Sequence, residues 1–218
     1  MNSGQITLDE LERDALTELV NIGVSRAAVS LRKMVGKPVL LSVPAVDIVT
    51  QNAAAALIGQ RESDDLVAIR QEFGGAFAGQ ALLIFPESNS VDLVLAILGN
   101  DVEAADVTSL RDEALAETGN VILNGCLSTI ANLLRQSLQM SLPKVIYGDG
   151  NFIFDVGVER ENSGLVLFLY IDFSVQDRDI RGYIAMIMDL PSLATLKHLL
   201  GDFIARVTAD SNWTLAPH

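Results

Sequence analysis

Cysteine occurs once in these 218 residues, at Cys126, so no intramolecular disulfide can form and nothing points to an oxidising compartment. Histidine occurs twice, at His198 and His218, too few for a zinc cluster. Cations are in deficit: 15 Lys and Arg against 28 Asp and Glu leave a formal charge of −13. Such a surface repels nucleic acid and anionic lipid and suits a basic or locally basic protein partner, although acidity also serves solubility alone. Long apolar runs are missing too. Half the residues are hydrophobic, yet the longest uninterrupted run, Leu165 to Ile171, has seven residues and cannot span a bilayer. The opening Met1-Asn2-Ser3-Gly4-Gln5 has neither a basic nor an apolar leader region, so a cytoplasmic protein without membrane insertion is expected.

Proline is sparse as well, and the gaps between prolines mark helices. Thr7-x-x-Glu10 reads as a capping box, and no proline follows until Pro38, which predicts a long helix over about 8 to 34. Ser109-x-x-Asp112 opens a second proline-free stretch ending at Pro143, which predicts a matching helix over about 109 to 137. Between them the pattern predicts a strand over Pro38 to Val49, a short Ala-rich helix over Gln51 to Gly59, two strands flanking a turn at Gly74-Gly75, and a helix from Ser88 to Leu98 capped by Gly99. The second half runs in the same order, with extended segments near Lys144 to Tyr147, Phe152 to Glu159, Gly164 to Phe173 and Arg181 to Met188. A last helix from Pro191 should end before Gly201.

These landmarks predict a single domain over 1–218 with pseudo-two-fold duplicated half-domains, about 8–99 and 107–203, joined by an acidic connector at Asn100 to Asp106. The fold class expected is α/β of the α+β kind, two long helices packed on a mainly antiparallel sheet. Residues 208–218, including Trp213, read as a loosely attached tail.

One polar spacing occurs in both halves: Glu18-x2-Asn21-x22-Pro44 and Glu117-x2-Asn120-x22-Pro143. With each residue type at about one position in twenty, a single copy arises by chance in roughly 2% of chains this long, and two far more rarely. On a helix, Asp14, Glu18, Asn21 and Ser25 fall on one polar stripe beside a broad apolar face, and Glu113, Glu117, Asn120 and Asn124 form its counterpart. Cys126 lies among the apolar positions of the second helix and reads as a small core residue. A carboxylate and a carboxamide one turn apart make no nucleophilic triad and no phosphate-cradling loop. They can hold a cation on another molecule and orient a water; a solvated helix face is the plain alternative. Both prolines lie beyond the helix end, where a fixed φ restricts the returning chain.

These residues resemble the CheC/CheX/FliY phosphatases of chemotaxis, whose consensus is Asp/Ser-x3-Glu-x2-Asn-x22-Pro. Asp14, Glu18, Asn21 and Pro44 match it fully; the second copy matches at Glu117, Asn120 and Pro143 and has Glu113 where Asp or Ser is usual. The resemblance covers nearly the whole chain. It implies hydrolysis of the phospho-aspartate on a CheY-type response regulator, with Asn21 and Asn120 orienting water and Glu18 and Glu117 pairing with the regulator's active-site lysine. It implies no cofactor of the chain's own, Mg²⁺ held by the phosphorylated partner, CheD as a further partner, and a monomer. The alternatives are a non-catalytic interaction protein regulating the receptor deamidase CheD, or a phosphatase of a regulator outside chemotaxis.

Overall fold

A computed structural model describes residues 6–43, 46–62, 65–98, 104–156, 165–175 and 178–213. The first long helix, α1 (Glu10–Val35), is capped by Asp9 rather than Thr7. Glu12 N–H donates to Asp9 Oδ1 at 2.8 Å and Asp9 N–H donates to Glu12 Oε2 at 2.9 Å, so the capping box lies two residues later than Thr7-x-x-Glu10 suggested. The Thr7 carbonyl accepts instead from Lys197 Nζ.

The strand expected over Pro38 to Val49 is broken into β1 (Val39–Ser42) and β2 (Val46–Thr50). Helix α2 (Gln51–Arg61) follows, capped by Thr50. Strands β3 (Leu66–Gly75) and β4 (Gly79–Pro86) form a hairpin that turns at 76–78. Gly74 and Gly75 are therefore not the turn; they stay in β3 and pair with a strand of the second half. Helix α3 (Glu87–Leu98) completes the first half; Gly99, its expected cap, lies outside the described residues.

The second half begins with α4 (Ala104–Leu133), which starts five residues before Ser109 and takes up part of the expected connector. Ala104 and Ala105 are strong helix formers. The helix stops short of 137 because Arg135 adopts a left-handed conformation at φ 58°, with Gln136 N–H bonding back to the Ala131 carbonyl. Strands β5 (Leu138–Met140) and β6 (Lys144–Gly148) follow. Phe152 was expected in an extended segment but lies in the short helix α5 (Gly150–Ile153), where its N–H caps on Asp149 at 2.8 Å. The rest of that segment, from residue 157, lies outside the described residues. Strands β7 (Leu165–Val175) and β8 (Arg178–Met188) lead to α6 (Leu190–Trp213). This helix runs through Gly201 instead of ending there. Leu196, Leu199, Leu200, Phe203 and Ile204 pack on the core at helical spacing and offset the ~1 kcal/mol propensity cost of one exposed glycine. The segment expected as a tail from Thr208 is helical as far as Trp213.

Among the described residues eight strands join one antiparallel sheet: β1 and β2 both pair with β7, then come β8, β4 and β3, and β5 and β6 both pair with β3. Even and odd positions separate cleanly. Val67 and Ile69 face a core shared with α1, α3, α4 and α6, whereas Leu66 and Ala68 face a smaller core under α2 and α5. The element order of the first half recurs in the second, and so does the register: Val46 opposes Leu169, and Val145 opposes Ile69; Leu41 opposes Phe173, and Met140 opposes Phe73. Each half thus completes the other's sheet.

Candidate functional site

The two long helices pack against each other on one face of the sheet, and small residues set how closely. A Cβ added at Gly23 would lie 2.9 Å from the Cα of Cys126, so this crossing requires glycine. Cys126 is fully buried, and burial raises its thiol from near 9 to about 12; it is a core residue, not a reactive one. Farther along α4, a Cβ at Gly119 would lie 2.3 Å from Ile69 Cγ2. Its absence lets α4 sit against β3, with Asn120 next in sequence.

The polar stripes take the places expected of them. Asp14, Glu18 and Ser25 are exposed and Asn21 is half-buried; Glu113 and Glu117 are exposed and Asn120 and Asn124 are half-buried. Among the described residues, Glu18 and Glu117 have no hydrogen-bond or ion-pair partner, which leaves both carboxylates free to meet a cation from outside. Pro143 lines the second site. Pro44 lies outside the described residues.

Each asparagine is tied to the loop that follows the first strand after its helix, Asn21 directly and Asn120 only through Gln71. In the first site Val43 N–H donates to Asn21 Oδ1 at 2.9 Å, and Asn21 Nδ2 donates to the Val43 carbonyl at 3.1 Å. A backbone N–H only donates and a carbonyl only accepts, so this clasp sets which way the amide faces. One N–H and one lone pair remain. In the second site Asn120 does not touch the loop. Gln71, on β3, donates through Nε2 to Asn120 Oδ1 at 3.1 Å and to the Ser141 carbonyl at 3.0 Å, and Asn124 Nδ2 donates to the same Asn120 oxygen at 2.6 Å.

The second site opens into a groove of about 650 Å³ in which Glu113, Glu117 and Asn120 face Met34, Leu110, Leu142 and Pro143. Leu142 is 84% exposed. A free carboxylate ringed by exposed apolar side chains suits a protein surface carrying a cation. The first turns of α4 below it are pinned by Arg111, which bonds Glu87 at 3.0 Å and Ser90 at 2.9 Å on α3, and by Tyr147, whose hydroxyl donates to Asp112. Burial, with Asp112 beside it, raises the Tyr147 hydroxyl to about 12.

Sequence reasoning located the stripes and missed Gln71 and the Val43 backbone. A signal for Gln71 was present: along β3 it is the one polar residue on the face shared by Val67, Ile69 and Phe73, and it is 1% exposed.

Two long helices on one antiparallel sheet, each presenting a carboxylate without a partner among the described residues beside an anchored carboxamide, define an α+β class of protein with one such polar pair on each helix. Known proteins of this build narrow the class. No family model matches the chain. It is 21% identical over 215 residues to the flagellar motor switch phosphatase FliY of Bacillus subtilis, covering 96% of this chain and 54% of that protein. It is also 21% identical over 201 residues to the CheY-P phosphatase CheC of the same organism, covering 89% of this chain and 96% of that one. The chain thus spans about half of FliY and nearly all of CheC. The crystal structure of Thermotoga maritima FliY superposes with a TM-score of 0.68 at 17% identity, covering 91% of this chain and all of that one, which shows the shared fold. The CheC/CheX/FliY family fits the chain, as the two motifs indicated.

Proposed function

We propose that the chain is a protein aspartyl-phosphate phosphatase whose substrate is a phosphorylated CheY-type response regulator. One observation carries this reading: in both halves a free glutamate sits one helical turn before an asparagine whose amide is held by its neighbours. The names of the CheC and FliY relatives support it.

In this mechanism Glu18 or Glu117 meets the ammonium of a lysine beside the phospho-aspartate and sets the register of docking. Asn21 or Asn120 enters next to the acyl phosphate and holds a water in line with the scissile P–O bond. Water oxygen attacks phosphorus, the bond to the aspartyl oxygen breaks, and inorganic phosphate and the carboxylate are released. The protein's contribution is positioning, which removes part of the entropic cost of attack. Mg²⁺ on the regulator would offset the phosphoryl charge. Asp14 and Glu113 support the stripes, and Pro143 directs the loop of the second site. The reading implies a cytoplasmic protein, and the repeated element order and strand register support two half-domains, about 8–99 and 107–203, of common descent.

Purified protein should speed loss of phosphate from a phosphorylated CheY-type regulator, saturably in the regulator. Binding without any faster loss would contradict the phosphatase assignment and leave an interaction role.

A further inference from the structure

The two asparagines are oriented by different devices, and the difference traces to one core position. Leu169 on β7 and Ile69 on β3 hold equivalent registers, opposite Val46 and Val145. Two residues farther along, on the same face, stand Ile171 and Gln71, both buried, at 3% and 1% exposure. An isoleucine cannot take part in hydrogen bonding, and Asn21 clasps its loop directly. On the other side Gln71 intervenes.

We propose that Gln71 is a positioning residue of the second site: it reads the Ser141 carbonyl and so fixes the Asn120 carboxamide with its oxygen inward and its NH2 left for the groove. The chain of reasoning starts at the backbone. The Ser141 carbonyl can only accept, so Gln71 must turn its NH2 toward it. The second N–H of that group then meets Asn120, which must present oxygen. With Asn124 donating to the same atom, Asn120 Oδ1 already accepts two bonds. Asn120 Nδ2 has no partner among the described residues. Gln71 Oε1 is itself buried without a protein partner, a cost that a side chain like Ile171 would not incur.

The two sites then offer different chemistry. Asn21 keeps a donor and a lone pair and can both give to and accept from a water. Asn120 offers donors alone, so it can hold the water only by donating to the water oxygen, with its second N–H left for an acceptor oxygen of the phosphoryl group. The catalytic part of this inference rests on the phosphatase reading; the orientation of the amide does not.

The test has two arms. In ¹⁵N-labelled protein, exchange of side-chain NH2 protons with water should be slow at Gln71 and fast at Asn120, and Gln71→Met should shift the Asn120 side-chain resonances. Protection at Asn120 with fast exchange at Gln71 would overturn the proposal. In the Asn21→Ala background, where only the second site acts, Gln71→Met should lower kcat roughly tenfold with KM within about twofold. Gln71→Glu should be equally impaired at neutral pH and recover in part as pH falls, because only the protonated carboxyl can donate. Gln71 variants with the parent's kcat at every pH would overturn the positioning role. Absence of turnover by the unsubstituted protein would instead sink the phosphatase reading, with the exchange arm still deciding the amide.

Discussion

Asn21 does two jobs at the scale of a residue, and they should be separable. Its amide satisfies both polar groups of Val43. Asn21→Ala therefore leaves a part-buried N–H and C=O unpaired and should cost about 1–3 kcal/mol of stability besides lowering activity, measured by denaturant unfolding alongside turnover. Asn21→Asp keeps the bond from Val43 N–H but sets a carboxylate oxygen against the Val43 carbonyl; it should lose activity with only part of the stability restored. The Glu/Asn pairs were legible in the sequence because helical spacing puts them on one stripe. The Val43 clasp was not, since backbone partners leave no residue signature. Gln71 lay between these cases, a polar residue out of place on an apolar strand face.

Close approach decides function at the scale of an element. Gly119→Ala would set a methyl 2.3 Å from Ile69 Cγ2, so α4 must lift from β3. A cost of about 1–3 kcal/mol is expected, with activity of the second site lost and that of the first retained, which an Asn21→Ala comparison would resolve. Cys126 gives a second test at the helix crossing. Its thiol is held protonated to about 12 in the folded chain, whereas the unfolded chain ionises near 9. The folded state then binds more protons between these values, so this contribution to stability is intact below about pH 9 and falls as pH rises. The stability gap between the parent and Cys126→Ala should shrink by on the order of 1 kcal/mol between about pH 8 and pH 10, read by denaturant titration. The long helices were legible from proline gaps and apolar periodicity. Their ends were less so: Arg135 stops α4 without a glycine, and packing carries α6 past Gly201.

At the scale of the whole molecule the chain is strongly acidic, and among the described residues the same order of helices and strands occurs twice, with strands of each half pairing with the other's. The order of elements was readable from recurring landmarks, but strand pairing across the halves depends on contacts far apart in sequence. Both glutamates are exposed and without partners among the described residues, so Glu18→Lys with Glu117→Lys should change stability by about 0.5 kcal/mol or less. Regulator binding should weaken roughly tenfold, with less salt dependence, in a titration at low and moderate ionic strength. Equal losses of stability and binding would make these glutamates structural.

The most direct measurement is single-turnover loss of phosphate from a phosphorylated CheY-type regulator mixed with the parent, Asn21→Ala, Asn120→Ala and the double variant, each confirmed folded by circular dichroism. Acceleration by the parent, part of it in each single variant and none in the double variant is the predicted result. A folded double variant as fast as the parent would contradict the assignment of both asparagines.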